Sequence, residues 1–142
     1  MAVVSDVMTT ALITVPHDAE VDVAIELMVT KKVSAVAVVD TQGTLLGVIS
    51  EYDVLQLLGQ ADNPGARLEP CAKYMTSPAK SISPHASLDV VANVFRAAAT
   101  RRLFVVDNEK LIGIISRRDI LRYIRDHRHA PPVPQATRAV LA

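Results

Sequence analysis

The strongest constraint on this chain is that its sequence runs twice. Residues 7–28 (VMTTALITVPHDAEVDVAIELM) align with 74–95 (YMTSPAKSISPHASLDVVANVF) at a shift of 67, and VAVVD at 36–40 aligns with LFVVD at 103–107 at the same shift. One residue is missing from the turn that follows, so LLGVISEYDVL (45–55) aligns with LIGIISRRDIL (111–121) at 66. Met8/Met75, Asp22/Asp89, Asp40/Asp107, Gly47/Gly113, Ser50/Ser116 and Asp53/Asp119 coincide. Self-similarity at this period marks one supersecondary unit used twice. A chain of 142 residues, half of them apolar, has enough core for a compact pair of such units.

Within each copy the hydrophobic pattern reads strand, helix, strand, strand, helix. In the first, Leu12–Val15 is a short strand, and Val21, Ala24, Ile25 and Met28 share one face of a helix over 21–31. Val36–Val39 and Leu45–Ile49 form a hairpin around Asp40-Thr41-Gln42-Gly43, and Ser50 opens a helix carrying Val54, Leu55 and Leu58. The second copy predicts strands near 80–82, 103–106 and 111–115, with helices near 88–98 and 117–128. A sheet of three strands in about 55 residues is marginal alone. The expected fold is therefore α/β (α+β), two β-α-β-β-α repeats packed as a pseudo-twofold pair through their sheets. The repeats are placed at 1–58 and 73–128, with a Gly/Pro-containing linker at 59–72 and a flexible tail at 129–142 that includes PPVP.

Composition removes several functions. Aromatic residues are 4% of the chain and Trp is absent, which argues against sugar stacking or an aromatic platform for single strands. The one cysteine, Cys71, supports neither a disulfide framework nor a thiolate zinc site, and no metal site is expected. No apolar run reaches the ~18 residues of a membrane span. The first residues lack the basic stretch of a signal peptide and carry Asp6, so a cytoplasmic location is expected. The formal charge of zero hides a split: residues 1–62 carry two basic and nine acidic side chains, net −7, and residues 63–142 carry net +7.

The chemistry sits in a motif present twice, G-h-I-S-x-x-D-h-L, where h is apolar. It reads Gly47-Val48-Ile49-Ser50-Glu51-Tyr52-Asp53-Val54-Leu55 and Gly113-Ile114-Ile115-Ser116-Arg117-Arg118-Asp119-Ile120-Leu121. A buried strand running into a Ser-capped helix presents free N–H groups and the positive dipole end, which suit an anion. The Asp in the first turn can accept both hydroxyls of a ribose. Ser-x-x-Asp is equally a capping-box pattern, worth about 1 kcal/mol to the helix and nothing to binding. Both readings stand at the level of spacing.

The doubled motif, the strand-helix-strand-strand-helix order and the Met-Thr opening of each copy resemble a tandem CBS-domain pair, a Bateman module, over about residues 3–126. That resemblance implies a non-catalytic regulatory module with no required cofactor. It implies binding of an adenosine compound, AMP, ADP, ATP or S-adenosylmethionine, in clefts between the repeats. Carried over, Ser50 and Asp53 serve one cleft, and Ser116 and Asp119 the other. Ile13, Thr14, Ser81 and Ile82 flank the base, and backbone around Val36–Ala37 and Leu103–Phe104 lines its other side. Arg101, Arg102, Arg117 and Arg118 supply phosphate-binding guanidinium groups. The matching places in the first copy are Ser34, Ala35, Glu51 and Tyr52. The Asp119 cleft is therefore expected to take a phosphorylated adenosine, and the Asp53 cleft to be weaker, vacant or specific for an uncharged nucleoside.

The resemblance also implies a homodimeric disc of four repeats that reports to a regulated protein. The charge split favours a head-to-tail (antiparallel) disc, because it sets the acidic half of one chain against the basic half of the other. Two alternatives remain open: a structural dimerisation module with degenerate sites, and a nucleic-acid binder using the Arg-rich last helix.

Overall fold

A computed structural model describes residues 2–59 and 64–127; the expected tail, with its PPVP, lies outside them. The chain order is α1 (Val4–Val7), β1 (Thr14–Pro16), α2 (Val21–Lys31), β2 (Ala35–Val39), β3 (Leu45–Ser50), α3 (Glu51–Leu55), α4 (Cys71–Tyr74), β4 (Ser81–Ile82), α5 (Leu88–Ala97), β5 (Arg102–Asp107), β6 (Lys110–Ser116) and α6 (Arg117–Asp126). Short 3₁₀ turns over Gln56–Gly59 and Pro64–Leu68 follow α3. The repeat is plain in three dimensions: two sheets ordered β1-β2-β3 and β4-β5-β6, each with one parallel and one antiparallel pairing. The first strand begins two residues later than the sequence pattern suggests, since Thr14–Pro16 pairs with Ala37–Val39.

Each sheet buries one face against its own helices. Val21, Ala24 and Met28 of α2 pack with Val15, Val36, Val38 and Ile49. Val91 and Phe95 of α5 pack with Leu103, Val105 and Ile115. The hairpins differ as the missing residue requires. In the first, Asp40 Oδ1 accepts the N–H groups of Gln42 and Thr44 at 2.8 and 2.9 Å, which lowers its pKa, and Gly43 takes the left-handed φ of 83°. In the second, the two-residue tip puts Asn108 and Glu109 at φ of 50° and 69°. The tips meet across the repeats: Leu45 N–H donates to Glu109 O and Leu111 N–H to Gly43 O.

The segment before each Met-Thr opening crosses to the other repeat. Val4 is fully buried in the second core, and its counterpart at the shift of 67, Cys71, is fully buried in the first beside Tyr74. Burial pushes the Cys71 thiol pKa up. The stretch expected as a linker at 59–72 thus ends inside the first core, because α4 supplies apolar surface that a three-stranded sheet and two helices leave uncovered. The openings follow suit. Thr9 exchanges backbone hydrogen bonds with Ile114 (2.8 and 2.9 Å), and Thr76 with Val48 (2.8 and 3.0 Å). Each opening extends the other repeat's sheet, so the pair is interlocked rather than merely apposed.

Candidate functional site

Interlocking builds two clefts, each assembled from both repeats. The first has a volume of about 660 Å³. Ser50, Glu51 and Tyr52 of the first signature face Thr76, Pro78, Ala79 and Lys80 of the second opening, with Ser34, Ala35, Arg101, Arg102 and Phe104 around them. The second, of about 420 Å³, joins Ser116, Arg117, Arg118, Asp119 and Arg122 with Thr9, Arg101, Arg102 and Ile114.

The two aspartates perform the capping that the spacing allowed. Asp53 Oδ2 accepts the Ser50 N–H at 2.8 Å and the Ser50 hydroxyl at 2.9 Å, while Ser50 Oγ accepts the Asp53 N–H. Asp119 and Ser116 repeat the arrangement at 2.8 and 3.1 Å. One oxygen of each carboxylate is therefore committed to a capping box, one of the two readings that the spacing left open. The other oxygen meets the threonine of the opposite repeat's opening. Asp53 Oδ1 accepts from Thr76 Oγ1 at 3.1 Å, and Asp119 Oδ1 from Thr9 Oγ1 at 3.5 Å and from Arg122 Nη2 at 3.0 Å. Both carboxylates are buried, at 9% and 5% exposed. Asp119 lines its cleft directly; Asp53 is bonded to Ser50 and Thr76, which line the other.

Phe104 lines the first cleft, Arg117 and Arg118 the second, and Arg101 and Arg102 both. The second cleft thus draws on its own copy's arginines, whereas the first borrows Arg101 and Arg102 from the second copy. Arg102 lies against the first repeat, its Nη2 donating to Ser34 Oγ at 2.7 Å. The remaining expected residues do not line these two clefts. Val36, Ala37 and Leu103 are core, Ile13 and Ile82 pack beside the cores, and Thr14 and Ser81 are exposed on β1 and β4. Each opening approaches the other repeat's third strand before its own first strand starts, so the lining falls at 76–80 rather than 81–82. Thr9, Thr76 and Lys80 were not singled out from the sequence, and Arg122 only as part of the Arg-rich last helix; the matched Met-Thr pairs were the signal for the threonines. The helix-dipole argument applies to α6, which has ten residues, and not to α3, which stops after five.

Among the described residues no helix is long and apolar enough to cross a membrane.

Two interlocked α+β repeats with two clefts between them, each edged by charged side chains, define a tandem repeat module of the Bateman kind. The chain belongs to the CBS domain family, whose profile matches residues 4–60 and 71–126. It is 30% identical over 120 residues to the CBS domain-containing protein YhcV of Bacillus subtilis, covering 84% of each chain. A protein of the ribosomal RNA operon of Thermofilum pendens is 36% identical over 100 residues, 70% of this chain, but the match spans only 32% of that protein's length. Among solved structures, CBSX2 of Arabidopsis thaliana in complex with AMP superposes with a TM-score of 0.77 at 33% identity, over 89% of this chain and 98% of that one.

Proposed function

We propose that this protein is a non-catalytic regulatory module that binds an adenosine-containing ligand between its repeats and passes the change to a partner protein. The observation that carries this is the bond from a threonine hydroxyl of one repeat's opening to the signature aspartate of the other, beside guanidinium groups: Asp119 lines the second cleft itself, and Asp53 stands behind Ser50 and Thr76 of the first. The carboxylate and the threonine suit a ribose diol, and the arginines suit a phosphate. The AMP complex of a relative at 33% identity supports the same ligand class. Arg101 and Arg102 beside both clefts favour AMP, ADP or ATP over S-adenosylmethionine, whose sulfonium is repelled by them. Because such a ligand touches both repeats, it favours the arrangement of the pair that grips it, and a partner can read that shift.

Thermal melting with AMP, ATP and S-adenosylmethionine tests the reading. A ligand at about 100 times its Kd adds about 2.7 kcal/mol to stability, and calorimetric titration should then show Asp119→Ala or Asp53→Ala weakening its cleft about 10- to 100-fold. The folded state of each variant is checked by circular dichroism, since the same substitution removes a cap. No shift with any of these compounds, or unchanged affinity in both variants, overturns the proposal.

A second copy of the chain is the proposed structural partner. Leu55 and Leu58, read from the sequence as apolar positions of one helix, and Leu121 and Ile124 of α6 are 60%, 83%, 62% and 59% exposed, with Leu58 in the 3₁₀ turn after α3 rather than on that helix. These are repeat-equivalent positions, so each repeat carries the same apolar patch. Leu121→Asp with Ile124→Asp should shift the sedimentation coefficient to that of a monomer. The charge split favours the head-to-tail disc. In that disc, Leu58→Cys and Ile124→Cys chains cross-link when mixed and not when alone; cross-linking of each alone overturns the orientation.

A further inference from the structure

Arg101 and Arg102 line both clefts, and the first repeat has no counterpart pair. The equivalent positions there are Ser34 and Ala35, and Ser34 is the residue that accepts the Arg102 guanidinium. We infer that Arg101 and Arg102 are one phosphate-binding pair shared by two clefts, so that a phosphorylated ligand in either cleft weakens phosphate binding in the other while leaving binding of an uncharged nucleoside there unaffected. This deepens the adenosine reading and rests on it.

The charges left behind account for the effect, which linkage makes equal in both directions. Besides the shared pair, the first cleft is lined by Lys80 and Glu51, which cancel. The second is lined by Arg117, Arg118 and Arg122 against Asp119, and Arg122 is already paired with Asp119 at 3.0 Å. A phosphate in the second cleft that draws Arg101 and Arg102 to itself breaks the Arg102–Ser34 bond. It leaves the first cleft without net positive charge for a group carrying about −2. A neutral adenosine needs only the carboxylate and the threonine, so it does not sense where the arginines point. The two clefts are thereby coupled through a shared pair of side chains.

The test uses the full chain and calorimetric titration with AMP and with adenosine. In wild-type protein the second AMP should bind the first cleft about tenfold more weakly than AMP binds that cleft in Asp119→Ala protein, whose second cleft is disabled; tenfold is within the ordinary range of coupling between sites. Adenosine should show no such difference. In Arg101→Gln with Arg102→Gln, AMP should weaken at both clefts and the coupling should vanish, with adenosine unchanged, which keeps the test decisive if Asp119→Ala fails to fold. Equal AMP affinity at the first cleft whether the second is filled or disabled overturns the sharing and leaves the adenosine reading intact. Failure of both AMP and adenosine to bind any of these proteins overturns the two together.

Discussion

Gly47→Ala is expected to lower stability by about 3 kcal/mol, at the upper end of the usual cost of overpacking a tight site. For a chain of this size that is a fall in Tm of about 12 °C. A Cβ at Gly47 would lie 2.7 Å from Thr76 O and 2.9 Å from Met75 Sδ. The oxygen belongs to the backbone that exchanges hydrogen bonds with Val48, so it has no room to retreat without breaking the interlock between repeats. At Gly113 the closest atom is Met8 Sδ at 2.6 Å, with Thr9 O at 3.1 Å. A methionine side chain can turn aside, so Gly113→Ala should cost less, about 1–2 kcal/mol. Thermal denaturation of the two variants side by side checks the order. Equal losses, or a larger one at Gly113, would mean that the Met-Thr openings are not the rigid walls described above.

The same glycines show what a sequence of this kind discloses and what it withholds. That Gly precedes each Ser-x-x-Asp is visible in the alignment of the copies, but the reason lies 28 residues downstream in one repeat and more than 100 upstream in the other. Element order was legible because period and turn chemistry act locally: Val21, Ala24 and Met28 face one side, and Asp40 shapes its own turn. The origin of each cleft was not, since every lining set mixes both copies. Arg101 and Arg102 look like the property of the second repeat until Ser34 is found against Arg102. The exposed Leu55 and Leu121 mislead in the opposite sense, because helical spacing reveals an apolar face without saying whether the same chain covers it.

The crossed segments were the least legible element. VSDV and CAKY share no residue type in register and are four residues long, so neither periodicity nor self-similarity marks them. Their placement gives the second large expectation. Val4→Asp should cost about 3–5 kcal/mol, since it sets a carboxylate with no provided partner among Val91, Phe95, Leu103 and Ile115. Hydrogen exchange locates the damage: protection should fall first in β5 and β6, about 100 residues away along the chain, while β2 and β3 hold. Cys71→Asp should reverse the pattern, loosening β2 and β3 although α4 directly precedes the second repeat's Met-Thr opening. Were Val4→Asp to loosen β2 and β3 first, or both sheets alike, the exchange of segments would not be what completes each core. If the pattern holds, neither repeat has a full core without a piece of the other, and a ligand gripping both acts on a pair that already folds as one.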